Sequence, residues 1–379
     1  MVDYDRHLPA SQQAFSRRKR VSQFLHLDLL LLTPLLILMI GGLVVLYSGS
    51  DGDMATVMRQ VRNQIVGLIA MLCAAQIRLD TYRRWAPALF FAGVLLLVLV
   101  PLVGVSAMGA QRWLSLGIVR FQPSELMKLA MPLMVAMWFT RHAIPPRPAA
   151  LFGAVGLVMV PSVLIAIQPD LGTSLLVAAS GFFVIFMAGL SGWYMVSAAV
   201  LFVLSAWPAW LFLLKDYQKQ RVLTLLDPES DKLGAGWNII QSKTAIGSGG
   251  WSGKGWMQGT QSHLDFLPES QTDFVIAVLA EEFGLRGVLV LLFVYLLIIL
   301  RGFWIGLKAQ TGFGRLLAGA ITLTFFVYVF VNIGMVVGIL PVVGVPLPLV
   351  SFGGTSMVTL LLSFGVLMVI STEKRLVDQ

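Results

Sequence analysis

Eight stretches of this chain are apolar for about as long as a lipid bilayer is thick, near residues 29–48, 86–106, 149–167, 171–190, 193–214, 273–300, 316–339 and 349–370. About 20 apolar residues in a helix cross a hydrocarbon core of roughly 30 Å. Every backbone N–H and C=O must find its partner inside lipid, and a helix is the open-ended element that achieves this. Two weaker runs, about 61–77 and 123–140, contain polar residues but fit the same series. The fold class expected is all-α integral membrane, with about ten transmembrane helices. Composition agrees. Only 12% of the 379 residues are charged, about half the roughly 25% of a soluble domain. That is too little to coat a water-soluble body.

The net charge of +8 would suggest nucleic acid in a soluble protein. Here the cations follow membrane sidedness instead. The N-terminal tail, the short loops near 78–85, 141–148, 191 and 301–315, and the C-terminus hold most of them, including Arg17, Arg18, Lys19, Arg20, Arg83, Arg84, Arg301, Lys308, Arg315, Lys374 and Arg375. The opposite short loops hold Arg59, Arg62, Arg112 and Arg120. Short cytoplasmic loops carry excess Lys and Arg, so both termini are expected in the cytoplasm and no nucleic-acid partner is expected. Residues 1–28 read as a cytoplasmic tail, 29–371 as the multi-pass membrane domain, and 372–379 as a second cytoplasmic tail. The first apolar run is as long as a full span, with no small-residue cleavage pattern, and reads as an uncleaved anchor. Cys73 is the single cysteine, so no disulfide framework can form within the chain.

Residues 215–272 form one long polar segment between spans seven and eight, too long for a simple connection and expected on the outer, periplasmic or extracellular side. Within it, Gly247 to Gly259 holds six glycines in thirteen residues. Such backbone can cradle phosphate or make tight turns. It is not a Walker A loop, because Ser248 and Gly255 stand where glycine and Ser or Thr are required.

Several carboxylates and cations collect at the outer ends of spans. Asp273 lies where the long segment becomes a helix, as a helix-start carboxylate or a base at the membrane surface. Asp273, Ala277 and Glu281 are spaced i, i+4, i+8 and so share one helix face. Glu281 and Glu282 sit in an otherwise apolar span, where charge is costly unless paired. Glu282 and Arg286 are spaced to pair. A second cluster comprises Arg112, Trp113, Arg120, Glu125 and Lys128, with Pro123 suited to a first helical turn. It reads equally as a structural ion pair with snorkelling arginines or as a cationic pocket. Asp170 caps a span or touches a ligand. Trp113, Trp237, Trp251 and Trp256 belong to an interfacial belt or stack on sugars. The four histidines are scattered, which disfavours zinc.

Five segments together resemble the SEDS family (shape, elongation, division and sporulation). They are GAQRWLSLGIVRFQPSELMK at 109–128, QPDLGT at 168–173, YQKQRVLTLLDPESDKLGAGWNIIQSKTAIGSGGWSGKGW at 217–256, LPESQTDFVIAVLAEEFG at 267–284 and NIGMVVGILPVVGVPLPLVSFGGTS at 332–356. They cover nearly the whole chain in order, and the long segment is most similar to the elongation branch. The resemblance implies a peptidoglycan glycosyltransferase of the bacterial cytoplasmic (inner) membrane, which polymerises lipid II into a growing glycan strand at the outer face. It implies a class B penicillin-binding protein and other elongation-complex membrane proteins as partners. It places the family's loop aspartate on Asp273, and its functional outer cluster on Arg120, Glu125 and Lys128. Gln271 departs from the basic or histidine residue common two positions before that aspartate.

On this reading Asp273 is the base, and the departing diphosphate is held by cations. Arg120 and Lys128 come first, with Arg112, Arg221, Lys243 and Lys254 behind them and Asp170 and Glu281 in support. A divalent cation, Mg or Mn, is a further candidate for that charge. Two other readings remain at this stage: a lipid II flippase, and a non-catalytic activator of the penicillin-binding protein.

Overall fold

The computed structural model describes residues 26–107, 110–115, 120–231, 234–263 and 270–373. The basic N-terminal run, Lys374 and Arg375 lie outside them. The helices are α1 (Leu29–Gly49), α2 (Met54–Gln76), α3 (Leu79–Val103), α4 (Pro123–Thr140), α5 (Pro148–Ile167), α6 (Leu171–Met187), α7 (Gly192–Pro208), α8 (Asp216–Leu226), α9 (Ala235–Gly249), the single turn α10 (Thr260–His263), α11 (Val275–Lys308), α12 (Gly312–Val337) and α13 (Thr355–Thr372). Six of them, α1, α3, α5, α11, α12 and α13, are long and apolar enough to cross a membrane. The chain is therefore a multi-pass membrane protein. α6 and the start of α7 are shorter apolar helices.

The two weak apolar runs are helices α2 and α4, and their position explains their composition. Nearly all of α4 is buried, packed against α3, α5, α6, α12 and α13. A helix that faces protein rather than lipid need not be uniformly apolar. α2 turns Gln60 and Gln64 inward, where both are buried, and packs along α13. Small residues let these two helices close up: a β-carbon on Gly365 would stand 2.5 Å from the Met71 carbonyl oxygen. Asp53 starts α2 by accepting from Ala55 N at 2.9 Å and Thr56 Oγ1 at 2.6 Å. The Thr56 hydroxyl, with the Ala55 N–H, holds its carboxyl below the ordinary value.

Three features depart from the expected outline. The fold is not purely helical, because the α3–α4 connection forms a small antiparallel sheet of β1 (Val105–Ala107), β2 (Ala110–Ser115) and β3 (Arg120–Phe121), in order β1-β2-β3. Next, the long polar segment is largely helix (α8–α10), and α9 packs onto α11 and α12. Lastly, the run expected as a span at 349–370 begins with turns and bends; its helix starts at Thr355.

α11 is the element with the most consequence. At 34 residues and ~1.5 Å per residue it would far exceed the bilayer core, but it is broken at Gly284 (φ 65°, ψ −164°). Leu285 to Lys308 alone is long enough to span. The glycine-rich segment fills the break. Lys254 N and Gly255 N donate to the Glu281 and Glu282 carbonyls at 3.0 Å each, while Leu285 N and Arg286 N donate to the Gly250 and Trp251 carbonyls at 2.9 and 3.3 Å. Two i→i−4 helix bonds are thereby replaced by four bonds to the wedge, so no buried backbone group there goes unmet. Glycine is required sterically. A β-carbon on Gly253 (φ 79°) would lie 2.1 Å from the Glu282 oxygen, and one on Gly284 would lie 2.3 Å from Gly253 N. Combining a left-handed backbone with overpacking, Gly253→Ala is expected to cost roughly 2–5 kcal/mol. Thermal unfolding in detergent checks this; an unchanged midpoint would show that the wedge is not a tight insertion.

Candidate active site

The connection from α12 to α13, residues 338–354, is the hub of one end of the bundle. α12 ends at Gly338 in the left-handed conformation, φ 76°. Asn332 Nδ2 donates to Val345 O at 2.7 Å, Tyr295 Oη to Pro348 O at 2.6 Å, and Gln60 Nε2 to Ser351 O at 3.1 Å. Asn63 Nδ2 reaches Gly353 O at 3.3 Å. Polar side chains on three helices thus fix an extended loop inside an apolar bundle, where its backbone would otherwise be unsatisfied.

Asp273 is laid onto this loop by its own backbone and its neighbours'. Phe352 N donates to Gln271 O at 2.9 Å, Ser351 Oγ to Thr272 O at 2.5 Å, and Asn332 Nδ2 to Asp273 O at 2.8 Å. Three successive carbonyls are held by one loop and one buried amide. Ser270 Oγ adds a bond to Gly49 O at 3.1 Å on α1. The Asp273 side chain is part-buried. Its Oδ2 lies 3.6 Å from where a β-carbon on Gly344 would stand. Asp273 precedes α11, so the shared face expected with Ala277 and Glu281 begins only at Ala277.

The next residues of the loop, Pro346 to Leu349 and Ser351, wall an open groove of about 670 Å³ with α4, α12 and α13. Its charged residues are Glu125 and Lys128, joined Nζ to Oε1 at 2.6 Å. The Lys128 ammonium also lies 5.1 Å over the Tyr328 ring. The second Glu125 oxygen, Oε2, is buried with no hydrogen-bond partner among the described residues. A buried acceptor left unmet costs about 1–3 kcal/mol, so this oxygen is poised for a donor. Leu349 holds φ 65° in the groove wall, a conformation costly for a residue with a β-carbon.

A second charged group lies across the same loop. Asp170 caps α6 by accepting from Thr173 N at 3.2 Å, and also receives Gln122 Nε2 at 3.0 Å. Arg112 of β2 approaches it at 3.7 Å and donates to Gln168 O at 3.3 Å and to Pro169 O. α6 touches the hub here, since a β-carbon on Gly172 would lie 2.7 Å from Val343 O.

Asp273, Glu125, Lys128, Asp170 and Arg112 therefore gather around residues 343–353. Other candidates are placed elsewhere. Glu281 is fully buried and takes Lys254 Nζ at 2.6 Å, Thr260 N at 2.8 Å and Gln261 N at 3.0 Å. Lys254 thus secures the glycine wedge to α11. Glu282 accepts from Ser48 Oγ, and Arg286 lies over Trp251. Trp256 donates to Val44 O at 3.2 Å and meets Tyr47. Lys243 on α9 crosses the end of α12, its Nζ 2.7 Å from the β-carbon position of Gly338. Trp113 is on β2 opposite Val105. Arg120 is on β3; its side chain lies outside the described part of the structure.

Sequence reasoning missed Asn332, Tyr328, Ser351 and Gln60. A fully buried asparagine in an apolar helix was the available signal for the first. Asn332→Leu keeps the volume but leaves the Asp273 and Val345 carbonyls without their donor. With Asp273 as the base that the family resemblance implies, and because sub-ångström placement of a reacting group matters, it is expected to lower turnover by about 10–100-fold with apparent substrate affinity unchanged. Steady-state kinetics decides it; a KM effect alone would contradict a positioning role.

No group of three or more His, Cys, Asp or Glu side chains comes together among the described residues. A divalent ion here would have to be held by one or two carboxylates and by phosphate oxygens of a substrate, a mode magnesium commonly uses.

Residues 22–376 match the cell cycle protein family of FtsW, RodA and SpoVE. The peptidoglycan glycosyltransferase MrdB of Escherichia coli is 54% identical over 93% of this chain and 96% of its own length. A probable peptidoglycan glycosyltransferase FtsW of Alkalilimnicola ehrlichii is 35% identical over 95% and 92%. Among solved structures, a chain from a peptidoglycan synthase complex that coordinates polymerization and crosslinking superposes with TM-score 0.81 at 31% identity, covering 91% of this chain and 97% of that one. The rod shape determining protein RodA of Thermus thermophilus gives TM-score 0.68 at 27% identity, covering 91% and 96%.

Proposed function

We infer that this chain, a member of the FtsW, RodA and SpoVE family of cell cycle proteins, is a peptidoglycan glycosyltransferase that polymerises lipid II during cell elongation. The observation that carries the mechanism is the clamped tripeptide 271–273, which holds Asp273 beside the loop walling the Glu125–Lys128 groove.

Lipid II presents a sugar on a diphosphate with a polyprenyl tail. In our reading the Asp273 carboxylate accepts the proton of the acceptor's 4-hydroxyl. The freed oxygen pair attacks the donor's anomeric carbon, and the bond to the diphosphate breaks on the opposite side. The α-linked donor becomes a β-1,4 linkage, and undecaprenyl diphosphate leaves. Lys128 supplies fixed positive charge for the diphosphate in a water-poor groove, the setting in which such charge counts most. Glu125 Oε1 keeps the ammonium in place, and Oε2 accepts from a sugar hydroxyl or amide. Arg112 and Arg120 hold the headgroup from the sheet side, with Asp170 orienting Arg112. Lys243 lies at the entrance of the hub loop, and Lys254 acts through the wedge.

We further propose ten spans, α1 to α7 and α11 to α13, in a bacterial inner membrane with both termini cytoplasmic. The segment α8–α10 is then periplasmic. A class B penicillin-binding protein is the proposed partner, since a glycan polymerised here must be crosslinked. The test is gel analysis of products from lipid II and purified protein, with and without that partner. Glycan ladders support the reading. Movement of labelled lipid II across vesicles without any polymer would instead favour a flippase.

A further inference from the structure

At the end of the bundle opposite Asp273, where α11 and α13 finish and α12 begins, lies an open basin of about 1140 Å³. Arg301, Trp304 and Lys308 stand at i, i+3 and i+7 on the last turns of α11, and so share one face. Arg315 comes from the first turn of α12, and Glu373 closes α13. None of these residues takes part in the reaction described above.

One of these cations is locked in place, and the other two, Lys308 and Arg315, are exposed at the basin. Arg301 donates to Asp28 Oδ2 through Nη2 at 2.7 Å and Nε at 3.2 Å, and Ser371 Oγ donates to the same carboxylate at 2.7 Å. Asp28 is buried and caps α1, so three helix ends are tied together behind the basin. The Lys308 ammonium is set 5.1 Å over the Trp304 ring. Arg315 is exposed. Opposite them, Glu373 Oε2 is buried with no hydrogen-bond partner among the described residues. Burial, and then the nearby Asp80, push the Glu373 carboxyl above its ordinary value. The rim is apolar: Leu307 is 77% and Trp304 53% exposed, at a level where aromatic residues mark a membrane interface.

We propose that this basin binds an anionic glycerophospholipid with a hydroxyl-bearing headgroup, of the phosphatidylglycerol kind. Its phosphodiester lies between Lys308 and Arg315, its headgroup hydroxyl donates to Glu373 Oε2, and its acyl chains run down past Trp304 and Leu307. Basic pockets between helices at a membrane surface recognise anionic headgroups in this way. The unmet acceptor favours a hydroxyl donor over a choline headgroup, which has none. The apolar rim favours a lipid over free phosphate, which would leave it unused.

The test is native mass spectrometry of the purified full-length protein in detergent, titrated with phosphatidylglycerol or phosphatidylcholine. Wild type is expected to retain phosphatidylglycerol preferentially. The double variant Lys308→Gln/Arg315→Gln is expected to bind it about 25-fold more weakly, at roughly 1 kcal/mol per cation and 1.4 kcal/mol per tenfold. The charge-preserving Lys308→Arg/Arg315→Lys variant should bind like wild type, which separates lost charge from misfolding. Equal affinity for the two lipids in wild type, or no loss in the Gln variant, overturns the proposal. Full displacement of the lipid by millimolar inorganic phosphate also overturns it, because the ligand would then be a soluble anion.

Discussion

Asp273→Ala is expected to reduce lipid II polymerisation by roughly 10²–10⁴-fold, the usual worth of general-base assistance, while the protein inserts and folds normally. The second half of that expectation follows from how the residue is held. The backbone carbonyls of Gln271, Thr272 and Asp273 anchor segment 271–273 to α12 and the hub loop, and alanine retains all three of these bonds. The melting midpoint in detergent should therefore stay close to that of wild type. A large drop in that midpoint would mean that the carboxylate itself is structural, and the lost activity could then not be ascribed to proton transfer.

Lys128→Met should have an effect of similar size by a different route. Its ammonium and the Glu125 carboxylate form a pair whose side chains are only 13% and 6% exposed. Removing one partner strands the other, a loss of about 3–5 kcal/mol. If the ammonium also steadies the departing diphosphate, turnover falls by about 10²–10³-fold, as for loss of one preorganised donor. The double variant Glu125→Gln/Lys128→Met separates the two effects. It carries no stranded charge, so stability should recover, whereas polymerisation should stay low. Recovery of both would make the pair a structural feature of the groove and leave the diphosphate to the arginines.

The strongly apolar helices were legible in the sequence because lipid imposes one composition on whatever faces it. α2 and α4 were only faintly legible for the converse reason. Gln60, Gln64, Glu125 and Lys128 are turned toward protein, so hydropathy understates the helices that carry them. The sheet at 105–121 gave no period to read, since its strands are short. The break at Gly284 was hidden because glycine is frequent in membrane helices, and what marks this one is its backbone conformation and the wedge it receives. Lys254 and Glu281 lie 27 residues apart in sequence, and nothing local links them. Asp273 could be singled out by its place at the rim of a span and by family resemblance. Its fixation by Asn332, Ser351 and Phe352 depends on a helix and a loop some 60 to 80 residues later, which a one-dimensional pattern does not encode.

The central claim is that one carboxylate, held against the loop that walls the groove, removes the acceptor's proton. It is tested most directly with Asp273→Asn, which keeps the shape of the side chain and its backbone anchors but cannot serve as that base. Purified wild type and variant, each bound to an equal amount of the penicillin-binding partner, are given labelled lipid II in a single-turnover assay resolved on gels. Glycan ladders from wild type and unreacted lipid II from the variant are the expected result. Ladders of wild-type length and rate from the asparagine form would contradict the account.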